Sequence, residues 1–127
     1  MKKTLRSEAA PAPIGPYSQA VALDGLVFLS GQIALDPSTG TLNNADIAKE
    51  THQVMKNVGA VLDAAGCTFN DVVKTTIFLS DMSLFQEVNA VYGTYFTGDF
   101  PARETVAVKG LPMGVNVEIS VIASRRV

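Results

Sequence analysis

One cysteine and one histidine are the whole supply of thiol and imidazole in this 127-residue chain. A lone Cys67 excludes an intrachain disulfide, the pattern of a protein kept in a reducing, cytoplasmic compartment. It follows Ala-Ala-Gly66 at the end of a helical pattern and reads as a small buried hydrophobe, not a nucleophile. His52 has no second His or Cys at ligand spacing, so no metal site is expected. Neither a P-loop nor a G-x-G-x-x-G fingerprint occurs, so nothing asks for a nucleotide, and no cofactor is expected. Charge is scarce. At 17% charged residues and a net charge of -2, the chain lacks the basic stripe of a nucleic-acid module. No apolar run reaches the length of a membrane span. Lys2, Lys3 and Arg6 imitate the start of a signal peptide, but Ser7-Glu8-Ala-Ala-Pro11-Ala-Pro13 stands where its apolar segment should follow.

What remains is an ordinary globular composition, 47% hydrophobic, in a chain sized for one domain over residues 1–127. Residues 1–16 are expected as an extended arm, because Pro11, Pro13 and Pro16 lock φ and remove three backbone donors. Tyr17 to Leu23 reads as a strand, Asp24-Gly25 as a hairpin turn, and Leu26 to Ser30 as the return strand. Gly31 then marks either a bend or a place where something approaches the backbone closely. Ile33 to Leu35 extends the sheet before the turn Asp36-Pro-Ser-Thr-Gly40. Asp46 caps a helix whose apolar residues recur at helical spacing from Ile47 to Ala65, with Gly66 at its C-terminal stop. Val73 to Leu79 is β-branched and alternating. Ser83-Leu-Phe-Gln86 fits a capping box for a second helix that carries Phe85, Val88, Tyr92 and Phe96 and ends near Gly98. Glu104 to Val108 and Val115 to Ala123 are the last strands, separated by the loop at 109–114.

The order ββαβαββ predicts an α+β domain, a mixed sheet with both helices on one face. Val115, Val117, Ile119 and Val121 alternate with Asn116, Glu118 and Ser120, so one face packs on the helices. The other face must meet water or another subunit.

Arg103 and Glu118 stand out within these last strands. Arg103, after Pro101, offers a planar fork that matches a carboxylate in two parallel hydrogen bonds. Glu118 lies between Val117 and Ile119, where partial desolvation would raise its pKa and suit it to proton transfer. Alternatively the two form a plain cross-strand ion pair. If the last strands make a hairpin with Lys109 opposite Val115, Glu118 pairs with Val106 and shares a face with Glu104, not Arg103. A one-residue slip reverses this, because side chains alternate with period two. A bend, or two different chains, would also bring Arg103 and Glu118 together.

Phe100-Pro-Ala-Arg103-x-Thr105-Val, Lys109-Gly-Leu-Pro112 and Val117-Glu118-Ile resemble the C-terminal signature of the RidA (YjgF) family of imine and enamine deaminases. Ile14-Gly-Pro-Tyr17-Ser, Ser30-Gly31-Gln32, Val73-Lys-Thr-Thr76 and Val88-Asn89-x-x-Tyr92 fit the same family in the same order, so the resemblance runs from Ala10 to Arg125. It departs at Thr105, often Cys in the family, and at Glu104, commonly a small residue there. The resemblance implies a chorismate-mutase-like fold, closed into a homotrimer with sites in clefts between subunits. It implies hydrolysis of 2-iminopropanoate and 2-iminobutanoate, released by pyridoxal-phosphate-dependent dehydratases, to 2-keto acids and ammonia. Arg103 would then clamp the substrate carboxylate and Glu118 would activate water. Tyr17, Ser30, Gly31, Asn89, Glu104 and Thr105 would line the substrate site, Thr105 through its main-chain N–H. A non-catalytic trimer that binds a small carboxylate is the alternative, and it needs no Glu118. On sequence alone Tyr17 is also readable as a strand-end aromatic over the proline arm, and Asn89 as a helix-face polar residue.

Overall fold

The computed structural model describes residues 1–125; the last two residues of the expected domain lie outside the described residues. Six strands and two helices are described: β1 (Lys3–Leu5), β2 (Ala20–Leu23), β3 (Leu26–Leu29), α1 (Ile47–Ala64), β4 (Val72–Leu79), α2 (Phe85–Gly93), β5 (Ala102–Ala107) and β6 (Val117–Ser124). The sheet runs β1-β2-β3-β6-β4-β5. Only the β4–β5 pair is parallel, and α2 is its crossover. This is the mixed sheet of an α+β domain.

Local chemistry explains the main elements. Asp24 and Gly25 both take positive φ, 52° and 80°, the geometry a tight β2–β3 hairpin requires. Asp46 caps α1 by accepting from the Lys49 N–H at 2.8 Å. Gly66, with φ 75°, stops it in the left-handed conformation. Val54, Met55, Val58, Val61 and Leu62 of α1 are fully buried. Burying a side chain of this kind contributes about 1.5–3 kcal/mol. They meet Ile77 and Leu79 of β4 and Val117, Ile119 and Val121 of β6, the odd-numbered set expected to face the helices. From α2, Val88 and Tyr92 join the same core.

Several boundaries moved. The arm begins with an edge strand, β1, paired antiparallel with β2. β2 starts at Ala20, three residues later than Tyr17. The segment after Gly31 makes isolated bridges, Gln32 with Ile119 and Leu35 with Leu42, and no continuous strand. Ser83 is not the cap of α2: Asp81 accepts from the Ser83 N–H at 2.8 Å and starts a short 3-10 turn that leads into α2. α2 ends at Gly93, five residues before Gly98. The hairpin between the last two strands does not exist. β4 lies between β5 and β6, so Glu118 pairs with Phe78 and Arg103 with Thr75. A long crossover past a central strand leaves no local pattern for a hairpin reading to fail on.

Candidate functional site

That strand order decides where the chemistry lies. Thr75 points into the helices and is fully buried, and its parallel neighbour Arg103 shares that face. Phe78 points the other way, and Glu118 with it. Within one chain Arg103 and Glu118 therefore stand on opposite faces of the sheet and do not meet.

Arg103 opens onto a cleft of about 430 Å³ with Asn89, Tyr92, Gly93, Phe100 and Pro101. Asn89, Tyr92 and Gly93 are three and four residues apart, one face of α2. The guanidinium donates from Nη1 to Asn89 Oδ1 at 2.6 Å. It also lies over the Tyr92 ring, 5.2 Å from the centroid, and 5.6 Å from that of Phe85. Tyr92 is itself fixed, donating from its hydroxyl to Thr75 Oγ1 at 3.0 Å, and burial pushes its phenol pKa up. The fork is thus held in direction, with N–H groups left over for a ligand. Thr105, two residues on and on the same face, lines a small space behind the cleft with Ile77, Leu79, Phe85 and Val88. Its hydroxyl is buried without a hydrogen-bond partner.

The second cleft, about 340 Å³, lies on the open face and is lined by Ile14, Tyr17, Ser30, Gly31, Pro112 and Glu118. Glu118 is half-buried, and desolvation raises its pKa above the ordinary carboxylate value. Its carboxylate rests on the Gly31 backbone: a Cβ built on Gly31 would lie 2.8 Å from Glu118 Cδ and 3.0 Å from Cγ. Close approach is therefore the reason for glycine here. Ser30 turns its hydroxyl inward to donate to the Ser18 carbonyl at 2.6 Å, and its N–H donates to the Gln19 carbonyl.

Gln19 was missed by sequence reasoning, although its place inside an apolar strand was a signal. Buried, it accepts from the Ser7 N–H at 2.6 Å and donates to the Ser7 and Pro11 carbonyls at 3.2 and 2.8 Å. It fastens the proline arm, so that Ile14 and Tyr17 overhang the Glu118 cleft. Glu104 lies on the open face, apart from both clefts, paired with Lys74 at 3.3 Å. His52 is an exposed helix residue whose ring contacts the Tyr95 hydroxyl at 2.8 Å, and Cys67 is buried with its thiol pKa raised by desolvation. Among the described residues there is no group of three potential metal ligands, and no helix long and apolar enough to cross a membrane.

A small α+β domain with an oriented, ring-stacked arginine in one cleft and a desolvated carboxylate in another is suited to a small anionic ligand. Residues 7–125 match the family described as Endoribonuclease L-PSP. The chain belongs to that family, the RidA (YjgF) family. The 2-iminobutanoate/2-iminopropanoate deaminase of Mus musculus is 50% identical over 123 residues, 97% of this chain and 91% of the mouse one. A crystal structure from Thermotoga maritima matches with a TM-score of 0.96 and 46% identity over 100% of both chains. That of the YjgF gene product from E. coli matches at 0.93 and 46%, covering 98% of this chain and 99% of its own.

Proposed function

We propose that this protein is a hydrolase acting on C=N bonds, a 2-iminobutanoate/2-iminopropanoate deaminase that forms 2-keto acids and ammonia. The observation that carries the reading is Glu118: a desolvated carboxylate seated on Gly31 with open cleft before it. The name borne by the mouse relative points the same way.

The substrate carboxylate pairs with the free N–H groups of Arg103, which Asn89 and two rings have already oriented. Glu118 removes a proton from water as the water oxygen bonds to the imine carbon, and the C=N electron pair moves to nitrogen. The proton is returned to that nitrogen. Glu118 then takes the hydroxyl proton of the carbinolamine and passes it to the amine, which leaves as ammonia while C=O forms. General base catalysis of this kind contributes about 10²–10⁴-fold. That is ample for an imine that already hydrolyses unaided. Ser30 and Gly31 support Glu118, Tyr17 closes its cleft, and the Thr105 main chain adds a donor for the carboxylate.

The opposite placement of Arg103 and Glu118 supports an assembly in which each site joins two chains. We read it as a cytoplasmic homotrimer, with the Arg103 cleft of one chain set against the Glu118 cleft of its neighbour. The open face carries exposed Leu26, Phe28 and Val106, the kind of apolar surface that marks an interface. The substrates are imines shed by pyridoxal-phosphate-dependent dehydratases, so the protein limits damage from a reactive by-product. A scarcity of positive charge leaves an RNA substrate without support.

The test adds the protein to a threonine dehydratase reaction in which semicarbazide competes for the imine. Faster 2-oxobutanoate release with less semicarbazone is expected. Glu118→Ala should abolish that effect while still binding 2-oxobutanoate; wild-type turnover in the variant would remove Glu118 from the role of base. No acceleration by the wild-type protein, with 2-oxobutanoate still bound, would make it a carboxylate-binding trimer instead.

A further inference from the structure

Glu50 is a buried acid that the reaction above does not use. It sits in the first turn of α1, fully buried, and is the one carboxylate among the buried residues described. Its helix turn faces the core, where a charge is costly unless every lone pair finds a donor. Three donors meet it. Asn116 N and Val117 N donate to Oε2 at 2.7 and 3.1 Å, and Asn116 Nδ2 donates to Oε1 at 3.2 Å. No Lys or Arg forms an ion pair with it among the described residues.

All three bonds converge on the start of β6. Asn116 is held from its other side too: Ser80, at the end of β4, donates from Oγ to Asn116 Oδ1 at 2.8 Å and from N to Asn116 O at 3.0 Å. The next residue is Val117, and the one after it is Glu118. Beyond Glu118, Ile119 exchanges two backbone bonds with Gln32, at 2.8 and 3.1 Å, on the far side of Gly31. Glu118 pairs with Phe78 in the β4–β6 ladder, and this stretch of β6 is fixed further on either side of it, by Glu50 before and by Gln32 after. Upstream of the first lies a loop whose Met113 and Gly114 both have positive φ. The loop's own hydrogen bonds run within it, Gly114 N to Leu111 O and Val115 N to Pro112 O.

We propose that Glu50 is a positioning residue for Glu118: its buried carboxylate sets the start of β6 and so holds the Glu118 side chain at its height over Gly31. The inference rests on the reading of Glu118 as the base. Glutamine at 50 keeps both main-chain bonds without the charge, since one amide oxygen can accept both N–H groups. Its Nε2 finds an acceptor when the Asn116 amide turns its oxygen toward it and its nitrogen toward Ser80 Oγ. Alanine removes all three bonds and leaves two buried N–H groups unpaired. Arg103 shares the helix-side face but bonds to Asn89, so neither change removes one of its hydrogen bonds.

The experiment measures kcat and KM for the trimeric fraction of Glu50→Ala and Glu50→Gln, with Glu118→Ala beside them. A misplacement of about 1 Å costs roughly 10²-fold. So kcat of Glu50→Ala should fall by about 10- to 100-fold with KM within about twofold, and Glu50→Gln should recover most of it. A purely structural Glu50 would lower the melting temperature while folded trimer kept its kcat, and that result overturns the proposal. So does a Glu50→Gln variant as slow as Glu50→Ala. If Glu50→Ala does not fold, Glu50→Asp decides: one methylene shorter, it draws the acceptor away from all three donors, and unchanged kcat there overturns positioning. Should Glu118→Ala itself turn over normally, the assignment of the base fails. A dead Glu118→Ala with an unaffected Glu50→Ala refutes the positioning role alone.

Discussion

Gly31→Ala adds one methyl group where the Glu118 carboxylate leaves no room for it. The new Cβ would stand 2.8 Å from Glu118 Cδ and 3.0 Å from Cγ. Carbon atoms rest at about 3.5–4.0 Å, so a displacement near 1 Å is forced. Gly31 is not among the glycines with positive φ, so its backbone accepts alanine without strain. What gives way is the flexible Glu118 side chain. Pushing it off its rotamer costs about 0.5–1.5 kcal/mol. Part of that is offset as the carboxylate swings toward water and regains hydration. The melting temperature should therefore move little. Turnover should not be spared: a displacement of about 1 Å of the base is worth roughly 10²-fold in kcat. In a Glu118→Ala background the three atoms nearest to the same methyl are gone, and it should change stability and the residual rate little. The semicarbazide competition assay reads the rate, and thermal unfolding reads the fold. Gly31→Ala with kcat within about threefold of wild type, a difference of under about 1 kcal/mol, would refute the placement of Glu118 as the working base.

Arg103→Lys keeps the charge but loses the planar fork and its stacking, and should lose most activity through a raised KM, checked by initial rates across substrate concentration. Thr105→Val keeps the branched shape and removes an unpaired buried hydroxyl, a defect costing about 1–3 kcal/mol, so its melting temperature should rise. Turnover of Thr105→Val, Thr105→Ala and Thr105→Cys should stay within about tenfold, roughly 1.4 kcal/mol; a larger loss gives the side chain a direct part. Glu118→Gln should be more stable than wild type at neutral pH. Burial raises the Glu118 pKa, so the folded chain keeps a proton that the unfolded chain has released. Stability then falls as pH climbs from the ordinary 4.5 through the raised value, and the deficit persists above it. Thermal melts of the two proteins should converge below that window. Sedimentation equilibrium should give a trimer, and a monomer at micromolar concentration would reject the shared site.

Much of the frame was readable because it rests on short-range chemistry. Asp24-Gly25 demanded its turn, Asp46 and Gly66 bounded α1, and the alternation from Val117 to Ala123 named the buried face of β6. The site motifs were legible as residue types around Arg103, Glu118 and Gly31. Strand order was not. β5 and β6 follow one another in the chain, yet the parallel β4–β5 pair sets β4 between them, and nothing local to either strand records that. Glu50 was hidden for a similar reason. A single acid in an amphipathic helix looks solvated, and its donors, Asn116 and Val117, lie 66 and 67 residues away. Gln19 is the same case on a smaller scale, with partners 8 to 12 residues back along the arm.

The placement of Arg103 and Glu118 on opposite faces of one sheet has a genetic consequence. If each site borrows one of them from a neighbour, a chain damaged at Arg103 still brings a sound Glu118, and the reverse holds for a chain damaged at Glu118. Two separately dead variants, unfolded together and reassembled in equal amounts, would pair their intact halves at about one interface in four by random association into closed rings. Activity would return from parents that have none. For the same reason a single damaged copy in a cell would enter rings with healthy chains and silence one of their sites, while the rest of each ring went on working.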